Sequence, residues 1–459
     1  MTMNENPADL LPELLVLGAA VLGLLTGIFL PRRRQWAVAV LCAAGLTAGL
    51  VAAAPPVGDP GVMVFGALML DPITHAVRLT VLAATLLVVA LAAGPLHGHA
   101  RETELYVLVL LASLGTIVLA ETSDLLVLVC AYLLASIPGY ALAGFGKDAR
   151  GTEASMKYFL MGALLGIVML TGVTLLYGVA GGTSYRMLGE GLGQAPRGVV
   201  AVGVVALFAG VLFKAGGVPA HYWVPDVTEG APPVVAAFVT TVPKVGALAA
   251  AFRLAQEALP GAAVDWRMFV AVVAAATMTL GNLAAFGQGN VRRLLAYSTI
   301  SQAGYLLMPV AVAGRTDLAE PALLFYLAAY AVTNLGAFAV VVAWGSDDLA
   351  DHAGLARRSP ALALALVVCL LGLVGTPPTA VFVGKLLAFG AAIDGAYGWL
   401  AVLAAVNTVA SVFYYLRWIV PVFGRAVPGR RPPGVWASAP ACAAAVLSLA
   451  LGVGGLTFR

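Results

Sequence analysis

Residues 213–244 read FKAGGVPAHYWVPDVTEGAPPVVAAFVTTVPK, an apolar stretch that carries two lysines, a histidine and several glycines and prolines. The apolar run breaks at Gly216 and Pro219, directly after Lys214. Proline lacks a backbone donor and clashes with the carbonyl one turn earlier, so a helix breaks there. In lipid, a break persists only where protein or water satisfies the freed backbone groups. The stretch therefore predicts a discontinuous membrane helix beside a buried polar region.

The whole chain has the composition of a polytopic membrane protein. It holds 459 residues, 61% hydrophobic and 10% charged, and its mean hydropathy is +0.97. A soluble domain carries about 25% charged residues. Apolar runs of helix-spanning length recur, which favours helices, whereas a membrane β-barrel would show alternation. The start MTMNENPADLLPE lacks a basic n-region, so we expect no cleaved signal peptide.

Hydropathy and turn signals predict an all-α fold of about 14 spans. Spans 7 and 12 are both interrupted, and they lie five spans apart, which favours two inverted five-helix repeats. The predicted units are helices 1 to 3 in 1–103, the repeats in 104–256 and 257–424, and helix 14 in 425–459. The predicted spans are 10–29, 36–54, 66–93, 104–120, 123–144, 155–179, 198–219, 233–256, 267–286, 294–313, 319–344, 360–390, 397–423 and 435–456.

Lysine and arginine in the loops predict the orientation of the chain. With the N-terminus outside, 13 of these residues fall on cytoplasmic loops and six on the outer side, so the bias predicts both termini outside. The cytoplasmic set is Arg32, Arg33, Arg34, Arg101, Lys147, Arg150, Arg292, Arg293, Arg357, Arg358, Arg425, Arg430 and Arg431. The outer set is Arg186, Arg197, Arg253, Arg267, Arg315 and Arg459.

Four of the chain's five lysines, Lys157, Lys214, Lys244 and Lys385, fall inside predicted spans. An ammonium in hydrocarbon is expensive unless it is paired or hydrated, so such a lysine is a functional candidate. Lys244 lies about 16–18 Å from either end of its span at helical rise, too deep to reach the headgroups. Lys157 lies near a span end and has Glu153 one turn before it, so a snorkelling ion pair is an equal alternative.

His221 follows the break of span 7 and titrates near neutrality, so it is a candidate proton relay with Lys214. The alternative is an interfacial polar residue beside Tyr222 and Trp223. Other polar residues inside spans predict either a hydrated polar axis at mid-depth or simple helix–helix contacts. They are Asn282, Asn334, Asn407, Ser298, Ser301, Gln302, Tyr330 and Arg417.

The sequence gives no sign of a cofactor or metal bound by this chain. Its four cysteines lie in apolar runs without CxxC spacing, so we expect neither a disulfide, an iron–sulfur cluster nor haem. No nucleotide-binding glycine motif occurs, and His97 and His99 lie in a polar turn. We therefore expect neither nucleotide nor nucleic acid as a direct ligand.

Five stretches combine apolar runs with fixed polar positions. They are EASMKYFLMGAL (153–164), the opening stretch 213–244, GNLAAFGQGNVRRLLAYSTISQAGYLL (281–307), DLADHAGLARRSP (348–360) and LLGLVGTPPTAVFVGK (370–385). These stretches resemble the antiporter-like membrane subunits of respiratory complex I. The motif EASMKY and the chain length favour the subunit N branch over its longer relatives and over cation/proton antiporter and hydrogenase-linked homologues.

The resemblance implies a 14-helix proton-translocating subunit of NADH–quinone oxidoreductase in a bacterial cell membrane. NADH, FMN, iron–sulfur clusters and quinone would belong to partner subunits, and other membrane subunits and, indirectly, the peripheral redox arm would be partners. The functional lysines of the family fall on Lys157, Lys214, Lys244 and Lys385, and its histidine falls on His221.

The chain departs from the family in span 5. Aligned on Ser136 and Pro138, the glutamate that pairs with the span 7 lysine in the family is replaced by Leu133. Glu153, acting through Lys157, is the candidate substitute. Two alternatives stay open: a subunit of a multisubunit cation/proton antiporter, and a structural spacer subunit that does not pump.

Overall fold

The structure is a computed structural model that describes residues 3–4, 6–54, 61–425 and 435–457. Arg430, Arg431 and Arg459 of the orientation argument lie outside these residues. Within them the chain forms 18 α-helices and one small sheet. The helices are α1 (Leu11–Phe29), α2 (Trp36–Ala52), α3 (Pro72–Ala93), α4 (Glu102–Glu121), α5 (Leu125–Ala143), α6 (Ala149–Ala180), α7 (Tyr185–Gly191), α8 (Arg197–Ala215), α9 (Trp223–Gly230), α10 (Pro233–Arg253), α11 (Trp266–Ala285), α12 (Val291–Ala311), α13 (Ala319–Trp344), α14 (Leu355–Arg358), α15 (Pro360–Val374), α16 (Ala380–Asp394), α17 (Gly398–Val422) and α18 (Val435–Thr457).

Within the described residues, 12 helical segments are long and apolar enough to cross a membrane. Helix α12 is not among them because it carries a run of polar residues, from Arg292 to Gln302, although it is almost wholly buried. Helices α15 and α16 are not among them because each has only 15 residues. The predicted number of 14 rests on counting α12 and the α15–α16 pair as spans.

The predicted start of span 3 at residue 66 is wrong. Residues 62–70 form a β-hairpin of β2 (Val62–Val64) and β3 (Leu68–Leu70), and β1 (Met3–Asn4) pairs in parallel with β2. Phe65 and Gly66 both have positive φ, the conformation that a tight hairpin turn requires. Helix α3 begins only at Pro72, after Asp71 accepts a hydrogen bond from the amide of Thr74. An apolar composition thus concealed a turn.

Helix α10 is the centre of the bundle. It packs against α3, α4, α8, α12 and α13, and its whole apolar window is buried. Gly246 lets it approach α4 closely, since a Cβ there would overlap the carbonyl of Thr116. A π-turn at Leu254–Ala258 extends its end. At Gly246 the central helix therefore contacts α4 through its backbone.

Both predicted breaks occur as gaps between helices. Helix α8 ends at Ala215, and the chain runs without helix until α9 begins at Trp223. Helix α15 ends at Val374, and α16 begins at Ala380. Each helix is followed by a glycine in the left-handed conformation, with φ of 74° at Gly216 and 92° at Gly375. Both broken ends lie inside the protein, so their free carbonyls need protein donors.

Candidate functional site: buried lysines at two helix breaks

Lys214 lies in the last turn of α8 and is fully buried. Its ammonium donates to the carbonyl of Ala135 at 2.7 Å and to the hydroxyl of Ser136 at 3.0 Å, both on α5. Leu133 lies on α5 as well and is 45% exposed. Among the described residues, a carbonyl and a hydroxyl thus hold the Lys214 ammonium, with no carboxylate in contact with it.

Lys244, at the middle of α10, reaches across to the first break. Its ammonium donates to the carbonyl of Ala215, the last residue of α8, at 2.8 Å. A helix C-terminus carries partial negative charge, so a cation there is favourably placed. A Cβ on Gly216 would lie 2.5 Å from the Lys244 nitrogen, so only glycine leaves room for this contact. The lysine thus caps a helix that belongs to another part of the chain.

Lys385 caps the second break in the same way. Its ammonium donates to the carbonyl of Val374, the last residue of α15, at 2.9 Å and to Thr408 at 3.3 Å. It also lies 4.1 Å from the centre of the Tyr305 ring, which adds a cation–π contact. Among the described residues, lysine forms ion pairs only at Lys157. The three buried lysines are held by dipoles and a ring instead.

Polar side chains bridge the space between the two breaks. Tyr330 donates to the carbonyl of Thr240 at 2.8 Å and lies 3.0 Å from the Thr299 hydroxyl. Gln302 donates to the carbonyl of Leu373, beside the end of α15, and accepts from Tyr326. These contacts connect α10, α12, α13 and α15 at mid-depth. Two of the predicted polar residues, Tyr330 and Gln302, therefore lie between Lys244 and Lys385.

The remaining predicted polar residues divide into three groups. Asn334 donates to the hydroxyl of Thr241, which lies one turn before Lys244 on α10, at 2.7 Å. A second group joins α11, α12 and α17 through hydrogen bonds among Asn282, Ser301, Asn407 and Tyr414, and between Ser298 and Tyr415. Arg417 is the third. It is exposed and donates to the carbonyls of Phe286 and Gln288 at the end of α11, so for this residue the structure favours a helix–helix contact over a buried polar axis.

Lys157 does not join the other three lysines. Its side chain is 48% exposed and pairs with Glu153 at 2.8 Å and with Asp226 of α9 at 2.9 Å. Arg293 of α12 contacts Asp226 at 3.4 Å and Glu229 at 2.8 Å. The predicted Glu153–Lys157 pair is thus present, at a charged surface end of the bundle. Sequence reasoning missed Asp226, although it lies inside the motif VPDVTEG that follows the break.

His221 lies in the break itself and is 8% exposed. Its ring is 4.7 Å from the ring of Tyr222. Lys214 donates to α5, and Lys244 donates to the carbonyl of Ala215. Among the described residues, His221 therefore lies at the first break with no hydrogen bond to either lysine.

Sequence reasoning also missed two buried ionic clusters at the end of the bundle where α1 and α3 begin. One joins Arg78 to Glu13 and Glu121, and the other joins Arg253 to Asp71 and Glu257. Their members are as many as 182 residues apart in sequence. In the described part of the chain, no group of three or more potential metal ligands occurs.

The fold and these residues define a class: a polytopic helical membrane protein with two interrupted spans, in which a buried lysine donates to the last carbonyl of the helix before each break. Residues 122–411 match the family described as NADH:quinone oxidoreductase/Mrp antiporter, TM. NADH-quinone oxidoreductase subunit N 1 of Streptomyces griseus is 55% identical over 457 residues, which are 99% of this chain and 97% of that protein.

Two solved structures share the fold. A chain of respiratory complex I from Thermus thermophilus, solved with bound aureothin, has a TM-score of 0.82 and 34% identity, covering 96% of this chain and 97% of that one. A chain of the Mrp complex from a Dietzia species has a TM-score of 0.85 and 25% identity, covering 98% and 95%. The chain belongs to the family of NADH-quinone oxidoreductase subunit N, the antiporter-like membrane subunit of complex I.

Proposed function

We propose that this subunit of complex I translocates protons through the buried lysines Lys214, Lys244 and Lys385. Quinone reduction elsewhere in the complex would supply the free energy. The observation that carries the proposal is that, within the described residues, these three ammonium groups are buried without a paired carboxylate. Lys244 and Lys385 donate to the last carbonyls of α8 and α15, and Lys214 donates to a carbonyl of α5. Such groups are costly when charged, so a small change in their surroundings releases or takes up a proton.

His221 and the Lys157 cluster have separate parts in this proposal. His221 lies in the first break, where Lys244 donates to the carbonyl of Ala215, and would relay protons there. Glu153 and Asp226 both pair with Lys157, so they supply the carboxylates that Leu133 does not. A rearrangement of this exposed ion network would change the field at the first break, where α9 begins.

The proposed architecture has 14 spans and two inverted repeats. In it, α4, α5, α6, the α8–α9 pair and α10 form one repeat, and α11, α12, α13, the α15–α16 pair and α17 form the other. Each repeat has its interrupted member in fourth place, with a left-handed glycine after the first half. The chain would lie in a bacterial cell membrane with both termini on the outer side, as the loop charges favour.

The proposed partners are the other membrane subunits of the complex and, indirectly, its peripheral redox arm. NADH, FMN, iron–sulfur clusters and quinone would be held by those partners. The cation/proton antiporter alternative is supported by the matching family, whose description names the Mrp antiporter as well, and by the fold of the Mrp complex chain, which is 25% identical. The 55% identity with a subunit N favours complex I. The non-pumping spacer alternative rests on Leu133.

The test uses the assembled complex in proteoliposomes, with NADH oxidation and internal acidification measured together. Lys214→Ala and Lys244→Ala should each lower the number of protons moved per electron while the complex stays assembled. Lys147→Ala, which changes the loop lysine, is the matched control. An unchanged ratio in both variants would support the spacer alternative. Purification of the chain with small antiporter subunits and no flavin or iron–sulfur proteins would support the antiporter alternative.

A further inference from the structure

Two carboxyl groups meet one guanidinium where α1 and α3 begin and α4 ends. Arg78 Nε donates to Glu13 Oε1 at 2.8 Å and to Glu121 Oε1 at 2.9 Å, and Arg78 Nη2 donates to Glu13 Oε2 at 2.8 Å. The side chains of Arg78, Glu13 and Glu121 are 3%, 8% and 0% exposed. Glu13 therefore occupies the fork of the guanidinium with both oxygens, whereas Glu121 shares a single N–H that Glu13 already uses.

The second oxygen of Glu121 decides the charge of this cluster. Glu121 Oε2 is buried and has no hydrogen-bond partner among the described residues. If both carboxyls were ionised, the buried cluster would carry a net charge of −1 and one of its oxygens would have no donor. Such a group is costly in a protein interior. Two carboxyls that share a site avoid the cost when one of them keeps its proton.

A second cluster at the same end of the bundle also joins one arginine to two acidic residues, and it provides the contrast. Arg253 donates to both oxygens of Asp71 at 2.8 Å and to Glu257 Oε1 at 2.7 Å. Glu257 Oε2 accepts from Ser123 at 3.0 Å, and Asp71 Oδ1 also accepts from the amide of Thr74. The side chains of Asp71 and Glu257 are 19% and 27% exposed. All four carboxylate oxygens have a donor there, so this cluster is stable with both acids ionised.

We infer that Glu13 and Glu121 hold one proton between them against Arg78, which makes a proton-binding site separate from the buried lysines. We place the proton on Glu121, because its side chain is the more deeply buried of the two and one of its oxygens lacks a donor among the described residues. The cluster is then neutral, and the fork of Arg78 stays with the ionised Glu13. Arg78 Nη2 also donates to the backbone carbonyl of Asp9 at 3.3 Å, and Arg253 Nη2 of the other cluster donates to Thr74, one turn before Arg78 on α3, at 3.3 Å.

The position of the pair suggests what the proton is for, and this step rests on the proposed function. The pair lies at the opposite end of the bundle from the exposed Lys157 cluster. Glu13 is slightly exposed, so a proton on Glu121 passes to Glu13 and from there to solvent. The Glu13–Glu121 pair would then accept a proton released from the buried lysines Lys214, Lys244 and Lys385. The shared proton itself does not depend on pumping.

Infrared spectroscopy of the resting, assembled complex at neutral pH tests the shared proton. The carbonyl stretch of a protonated carboxyl is separate from that of a carboxylate. Wild type should show a buried carboxylic acid band that decreases by one group per chain in Glu121→Gln. Glu13→Gln should lose the same band, because a single carboxyl left against Arg78 is ionised. Glu257→Gln, in the matched cluster, should keep it. Equal band intensity in wild type, Glu121→Gln and Glu13→Gln would overturn the inference.

Wild type alone gives a second readout if the variants do not assemble. Isotopic labelling of glutamate shifts only glutamic acid bands, so a wild-type spectrum without a labelled acid band at neutral pH rejects the shared proton. Measurement of proton pumping during turnover distinguishes the existence of the proton site from its part in pumping. A proton-to-electron ratio that stays normal in Glu121→Gln, with the resting band lost, keeps the site and removes its part in pumping. Failure of the lysine variants to alter pumping leaves the resting band unaffected.

Discussion

The two helix breaks solve one problem with lysines from different places. At each break a helix ends inside the protein on a left-handed glycine, and a lysine nitrogen lies within 2.9 Å of its last carbonyl. At the first break the lysine comes from a separate helix, since Lys244 is on α10 and the carbonyl is on α8. At the second break Lys385 comes from α16, the other half of the same interrupted span. Loss of the first contact therefore removes a hydrogen bond between two separate spans, whereas loss of the second removes one within a single interrupted span.

The breaks also differ in the residue just before the end. Lys214 occupies the penultimate position of α8, and Leu373 occupies that of α15. The carbonyl of Leu373 instead accepts a hydrogen bond from Gln302 of α12. The first break thus carries two ammonium groups, and the second carries one ammonium and an amide. We expect the first break to be the more sensitive to substitution.

Replacement of the capping lysines should have the largest effect. Lys244→Met and Lys385→Met both remove the donor to a buried carbonyl, which costs about 1–3 kcal/mol where the group is left unpaired. Both should lower the number of protons moved per electron in proteoliposomes. Lys244→Met should lower it more, because it also removes the hydrogen bond between α10 and α8. Lys147→Met is the control. Equal ratios in Lys244→Met and wild type, in a fully assembled complex, would contradict the comparison.

Alanine at the two glycines should have the next largest effect. A left-handed residue with a side chain costs about 1–2 kcal/mol, so Gly216→Ala and Gly375→Ala should each lower the thermal unfolding temperature. Gly216→Ala should also reduce pumping, because its Cβ would lie 2.5 Å from the Lys244 nitrogen, whereas at Gly375 it would lie 2.9 Å from Lys385 Cδ.

Gly178→Ala is the control for both, since it lies in α6 with open space around it. If Gly375→Ala reduced pumping more than Gly216→Ala did, the order of the two breaks would be reversed.

Gln302→Leu should have a smaller effect on pumping and a clear one on stability. It leaves the carbonyl of Leu373 and the hydroxyl of Tyr326 without their partner, each at a cost of about 1–3 kcal/mol. Thermal unfolding of the purified complex measures this loss, and Gln288→Leu, near the surface, should leave the midpoint in place. A midpoint unaffected by Gln302→Leu would mean that the amide does not replace a lysine at the second break.

Substitutions in the Lys157 cluster should have the smallest effect on stability, because exposed ion pairs contribute little. Asp226→Asn should reduce pumping more than Glu153→Gln does, since Asp226 contacts both Lys157 and Arg293. Acidification rates at low salt give the measurement, because screening weakens exposed pairs. The same rate in both variants and wild type would separate this cluster from the first break.

Local signals explain which parts of the fold the sequence predicts. Glycine and proline predict both helix breaks. Lys214, Lys244 and Lys385 are recognisable because a charged side chain is costly within an apolar run. Helix α12 is harder, since its polar residues lower the hydropathy that marks a span, and the hairpin before α3 is as apolar as a helix. Hydropathy records composition and not conformation.

Contacts between distant segments explain what the sequence could not give. Arg253 and Asp71 are 182 residues apart, and Lys157 and Asp226 are 69 apart, so no spacing rule pairs them. The direction of a side chain is equally hidden: Lys214 donates to Ala135 of α5, although His221 is far nearer to it in sequence. The chemistry was visible in the residue types, but their partners came from packing.

Gly246 has a mechanical consequence for the first break. Because α10 touches the backbone of α4 there, no side-chain layer separates the two helices at that point. We expect a displacement of α8 relative to α10 to be absorbed by the non-helical connection that follows α8, with α10 as the rigid support of Lys244.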